Sequence, residues 1–169
     1  MDPPIENGAN MPERFARDTR EKVRRAAELA EAENASMVEV EHLLTALVDP
    51  ITDSVGQHLN IAGLSAPAIR DARDREFHSA LALVGVRTTR PSPSAAPRQR
   101  RGRTTSFGPS AKLALERTLS IAAGSGQRRI TNTHLAIAIV RADVGIMPRL
   151  LDELGTNSHD LEQLLLGTQ

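Results

Sequence analysis

The chain of 169 residues aligns with itself when shifted by 92 positions. Phe15 then falls on Phe107, Arg25 on Arg117, Ala30 on Ala122, His42 on His134 and Leu43 on Leu135. Ala46 falls on Ala138, Val48 on Val140, Leu59 on Leu151 and Gly63 on Gly155, with no gap between 15–63 and 107–155. Apolar character agrees at further positions: Val23 with Leu115, Leu29 with Ile121, Val38 with Ile130, Leu47 with Ile139, Ile69 with Leu161. Self-similarity at one fixed spacing restricts a chain to repeat architectures, in which each unit covers the apolar face of its neighbour.

Within each repeat the apolar residues recur at helical spacing, and no stretch alternates with a period of two between hairpin turns. The pattern predicts a helix from Phe15 to Leu29, with Asp18 as N-cap and Asn34 as the stop. Helices over Val40–Val48, Ser54–Ile61 and from Ser65 to Leu83 follow, the first of these broken off at Asp49-Pro50. The series returns as Ser110–Ala123, Thr131–Val140, about Pro148–Leu154 and Ser158–Leu166. The fold class is therefore all-α, about eight helices in two pseudo-symmetric four-helix repeats. Gly63, Gly155 and Gly167 stand where C-caps belong.

Charge divides the chain in the same way. Residues 1–86 hold 9 bases and 15 acids, 87–106 hold six Arg and no acid, and 107–169 hold 6 of each. The segment 87–106 has no Leu, Ile, Val, Met or Phe, so it reads as a mobile linker. The organisation expected is a disordered tail at 1–10, repeat one at 11–86, the Arg/Pro/Ser-rich linker and repeat two at 107–169.

Several functions are excluded by residue types. There is no Cys, so disulfides, Cys zinc sites and thiol nucleophiles are out. Trp and Tyr are absent, which removes the stacking platforms of single-strand binders. No G-x-x-x-x-G-K-[ST] loop occurs, so nucleotide hydrolysis is not expected. His42 and His134 lie among Leu neighbours without an H-x-x-x-H partner, and a structural role is expected for both. No catalytic residue, metal or cofactor is expected. Without an apolar run of ~20 residues or a basic–apolar leader, a cytoplasmic monomer with no membrane contact is expected.

The repeated pattern is a Phe opening an Ala-rich helix, a polar loop, an E-H-L-L helix and a short helix ending in Leu-Gly. Repeat one carries it as Phe15 and Val40-Glu41-His42-Leu43-Leu44; repeat two as Phe107-Gly108-Pro109-Ser110-Ala111-Lys112 and Asn132-Thr133-His134-Leu135. Over residues 11–166 this resembles the N-terminal domain of ClpC- and ClpA-type unfoldases, the double Clp repeat. The likeness implies a stand-alone copy of a recognition domain without ATPase modules, similar to free-standing ClpC-like proteins of actinobacteria.

The resemblance also implies sites. Glu41 matches a carboxylate that recognises phosphorylated arginine, while Thr133 replaces it in repeat two, and the family's Thr after the opening Phe is Ala16 and Gly108 here. A structural alternative for Glu41 is an exposed early-helix acid favoured by the helix dipole. A groove between the opening helices that receives adaptors and cyclic-peptide antibiotics matches Met11, Val23, Phe107, Lys112 and Glu116, with Pro12 in place of an aromatic. Phe107 fits a core anchor as well as a ligand contact.

The expected function is a non-enzymatic binding module of the Clp proteolysis system. It would bind marked substrates, adaptors or peptide-like natural products, and deliver them to a ClpC-type unfoldase or compete with it. The alternatives are a nucleic-acid-associated regulator using the Arg-rich linker, with nucleic acid the weaker partner, and a passive assembly partner of the Clp ring.

Overall fold

A computed structural model describes residues 13–85 and 106–167. The expected tail at 1–10, Met11 and the linker up to residue 105 lie outside the described residues. Repeat one contains α1 (Arg17–Ala32), β1 (Met37–Val38), α2 (Val40–Val48), α3 (Ser54–Ile61) and α4 (Ala66–Leu83). Repeat two contains β2 (Ser106–Phe107), α5 (Pro109–Gly124), α6 (Asn132–Val140), α7 (Ile146–Glu153) and α8 (Ser158–Leu166). The all-α architecture, with eight helices among the described residues, is as expected.

Local signals placed most helix ends. The Ser65 hydroxyl accepts from the Ala68 N–H at 3.3 Å, with Pro67 in the first turn of α4. Asn34 has φ +55°, and Gly63 and Gly155 have φ +92° and +69°, the left-handed stops that helix ends favour. Asp18 is not the cap of α1. Ala16 holds that place in an extended conformation, because its N–H donates to the Ile130 carbonyl at 2.8 Å and pins it there. Asp18 lies instead in the first turn, where the helix dipole favours a negative charge. α7 begins two residues before Pro148, since a first-turn N–H needs no helical partner.

The repeats are interleaved rather than stacked as two closed bundles. β1 and β2 pair in parallel, with Met37 opposite Ser106 and Val38 opposite Phe107. A second parallel bridge joins Phe15 to Ile130. Under the 92-residue shift these are one pairing with the halves exchanged. The hydrogen bonds repeat as well: Gly108 N–H donates to Val38 O at 2.8 Å, as Ala16 does to Ile130. The fourth helices also reach across: α4 packs on α7 of the other repeat, and α8 packs on α3 as well as on α6 of its own.

At the centre lie α2 and α6. Every residue of α6 except Thr133 is buried, and Leu43, Leu44, Ala46, Leu47 and Val48 of α2 join one core with Phe15, Val23, Phe107, Leu115 and Ile130. Lys22 enters this region at only 4% exposure. Its Nζ donates to the carbonyls of Pro50 at 2.7 Å and Leu47 at 3.3 Å, partnering backbone oxygens at the end of α2. Burial lowers its pKa against the pull of Asp53 and Asp49. The equivalent position in repeat two is Ala114, so this arrangement belongs to repeat one alone.

Candidate functional site

The start of α2 carries the Glu39-Val40-Glu41-His42 segment. Glu39 is the N-cap, and its backbone N–H donates to His42 Nδ1 at 2.9 Å. Thr131 and His134 do the same for α6, at 3.0 Å. A ring nitrogen that accepts carries no proton, so both rings hold theirs on Nε2. His134 Nε2–H faces Ser125 Oγ at 3.2 Å, and that hydroxyl donates to Ala122 O at 3.0 Å. His42 Nε2 lies 3.6 Å from Glu33 Oε2, a carboxylate that Arg73 holds at 2.7 Å. Glu33 and Ser125 are equivalent positions, but only His134 has a hydrogen-bond partner at Nε2; that of His42 is buried without one among the described residues. Among the described residues no group of three or more His, Asp or Glu side chains is arranged to hold a metal.

His134 is 1% exposed, and burial lowers its pKa below the ordinary value of 6.5. The unfolded chain therefore takes up the proton first. Its contribution to stability is complete above pH 6.5 and is lost as the pH falls below that value toward the folded-state pKa. Denaturant unfolding at neutral and mildly acidic pH should show this loss, and His134→Asn should lose less between the same two conditions. An equal loss in both proteins would exclude His134 as the source.

Glu41 sits in the first turn of α2, half-buried. Its carboxylate has no hydrogen bond or ion pair among the described residues, and its backbone oxygen accepts from the Thr45 hydroxyl at 2.8 Å. Thr133 occupies the corresponding turn of α6. Close by, the Glu39 carboxylate lies over Gly108 so tightly that a Cβ there would overlap it. Ser110 donates its hydroxyl to the same carboxylate and accepts from Val40 N–H at 2.9 Å. A negative charge thus already stands at the start of α5, the end of a helix that favours one.

Four of the five groove residues lie among the described residues, and they divide between core and surface. Val23 and Phe107 are in the core, at 0% and 2% exposure, Lys112 and Glu116 are exposed on α5, and Met11 is outside the described residues. A cleft of about 300 Å³ opens elsewhere, between α1 and residues 50–53, lined by both signs of charge including Asp18, Glu21, Lys22, Arg25 and Asp53. Sequence reading missed Glu39 and Lys22. A Lys inside the apolar stripe of α1, next to Val23, was the available signal for the second; Glu39 gave none, because its partner is 71 residues away.

No curated protein sequence matches the chain. Solved structures match its fold over nearly the whole length. The N-terminal domain of the chaperone ClpD from Arabidopsis thaliana is 20% identical with a TM-score of 0.64, over 95% of this chain and 97% of that one. The Hsp104 N-terminal domain from Candida albicans is 15% identical with a TM-score of 0.64, over 92% and 91%. The N-terminal domain of the ClpV1 ATPase from E. coli is 19% identical with a TM-score of 0.57, over 92% and 87%. The Clp repeat (R) N-terminal domain profile matches residues 14–99, half of the sequence, and the chain belongs to that family.

Proposed function

We propose that this protein is a non-enzymatic binding module of a Clp proteolysis system, taking up protein substrates, adaptors or peptide-like natural products. The observation that carries this reading is family membership together with the reciprocal pairing of the two repeats, which join around one core. Such an arrangement offers two pseudo-equivalent surfaces to a polypeptide. Delivery to a ClpC-type unfoldase and competition with it use the same surface. Lys112 and Glu116, exposed on α5, are the polar members of the proposed peptide groove.

The two pseudo-equivalent pockets differ. Glu41 offers a free carboxylate, which can accept both prongs of a guanidinium, whereas Thr133 offers one neutral hydroxyl. Neither Ala16 nor Gly108 supplies a hydroxyl for a phosphate, and Glu39 adds a negative charge beside Gly108. At most one weak phosphoarginine site per chain is therefore expected, centred on Glu41. Titration of a phosphoarginine peptide reads the stoichiometry, and Glu41→Gln should weaken binding at least about tenfold. Two sites of equal affinity, or a site indifferent to Glu41→Gln, would refute this assignment. Saturable ATP hydrolysis would refute the non-enzymatic reading as a whole.

A further inference from the structure

We infer that Arg14, Arg128 and Arg129 form a docking surface for a carboxylate-rich peptide segment, independent of the Glu41 pocket. The bridge between Phe15 and Ile130 is parallel, with Ile130 N–H donating to Arg14 O at 2.9 Å. That hydrogen bond joins the 14–15 and 129–130 peptide units and so brings Arg14 close to Arg129. Phe15 and Ile130 point into the core, and Arg14, Arg128 and Arg129 are all exposed. Like charges held close to one another destabilise. Nothing offsets this here, because none of the three has a carboxylate partner among the described residues. Eight other arginines, 17, 24, 25, 73, 75, 117, 141 and 149, each have a carboxylate oxygen within 4.0 Å, and Arg20 and Arg70, which do not, stand apart on α1 and α4.

The fold itself does not call for these charges. The equivalent seam in the other half pairs Met37 with Ser106, and Ser36 precedes Met37. The corresponding bridge is thus built there from neutral residues, and extends one pair further. The arginines mark one of two equivalent seams, and a planar fork of donors suits carboxylates. The body around the seam argues against a long polyanion. Residues 13–85 hold nine bases and thirteen acids, and 106–167 hold six of each. Extended nucleic acid would meet a net excess of acids over the described residues, whereas a short acidic segment needs only the seam.

The test uses the full chain and a short fluorescein-labelled Glu-rich peptide, with its Gln counterpart as control. Anisotropy should show salt-sensitive binding of the Glu peptide alone. Amide chemical-shift changes should cluster at residues 14–16 and 128–131, which separates this surface from the arginines between 87 and 103. Transplanting the neutral seam, Arg14→Ser with Arg128→Ser and Arg129→Met, should weaken binding about tenfold without lowering the thermal midpoint. Unchanged affinity in the triple variant, shifts confined to other residues, or tighter binding of a single-stranded oligonucleotide of equal charge would each overturn the proposal. If the variant fails to fold, the shift map of the unsubstituted protein decides.

Discussion

Phe107→Ala is expected to destabilise the protein by about 3–5 kcal/mol, the range for truncating a buried aromatic. For a chain of this size that is a fall in melting temperature of roughly 6–20 °C. The ring is 2% exposed and belongs to the strand that holds repeat two against Val38. Truncation removes core contacts and leaves a cavity at the junction of the halves, where collapse would have to move both repeats. The same substitution tests the groove reading. A ligand anchor on the surface would lose affinity while the melting temperature stayed within a few degrees. Core placement predicts the opposite order, with a large loss of stability that precedes any change in binding by the folded fraction. A change of less than about 1 kcal/mol, typical of surface substitutions and mild core swaps, would contradict the burial.

The second large effect is expected when the repeats are separated. A fragment of residues 1–86 keeps four helices but loses Ile130 from beside Phe15, Phe107 from beside Val38, and the packing of α7 on α4 and of α8 on α3. It also loses the ion pairs of Arg149 with Glu76 at 2.6 Å and Glu153 with Arg75 at 2.8 Å. A domain of that size buries too small a share of its surface to spare such contacts. Neither 1–86 nor 107–169 alone should unfold cooperatively, and circular dichroism should report much less helix than the halves carry in the intact chain. Mixing the fragments should restore helix in a concentration-dependent way. Cooperative unfolding of either fragment by itself would show that the interleaving is dispensable.

Helix positions were legible because their causes are local. Ser65, Asn34, Gly63 and Gly155 act on the turns they occupy, and the 3.6-residue period needs no distant partner. The structural role of the histidines was legible for a related reason: His42 and His134 stand three residues after the backbone N–H they accept from. The site was less legible. Val23 and Phe107 belong to a surface in the family pattern, yet periodicity cannot say which side of an apolar stripe faces a ligand and which faces another helix. Lys22 reads as a surface base until the ends of α2 and α3 are folded around it.

By itself the sequence determined the all-α class, the eight helices, the twofold repetition and the absence of thiol chemistry, because each follows from residue types and short-range spacing. Only the tertiary structure decided that the repeats pair strands with each other, that α4 packs on α7 of the other repeat, that Phe107 is core, that Glu39 stands over Gly108, and that Arg14 lies close to Arg129. Those contacts join residues roughly 70 to 115 positions apart. The physical reason is that a pairing of such separation is chosen by the burial of both partners together. Shifted by 92 residues, either half offers nearly the same apolar face, so the sequence alone does not distinguish pairing within a repeat from pairing between repeats.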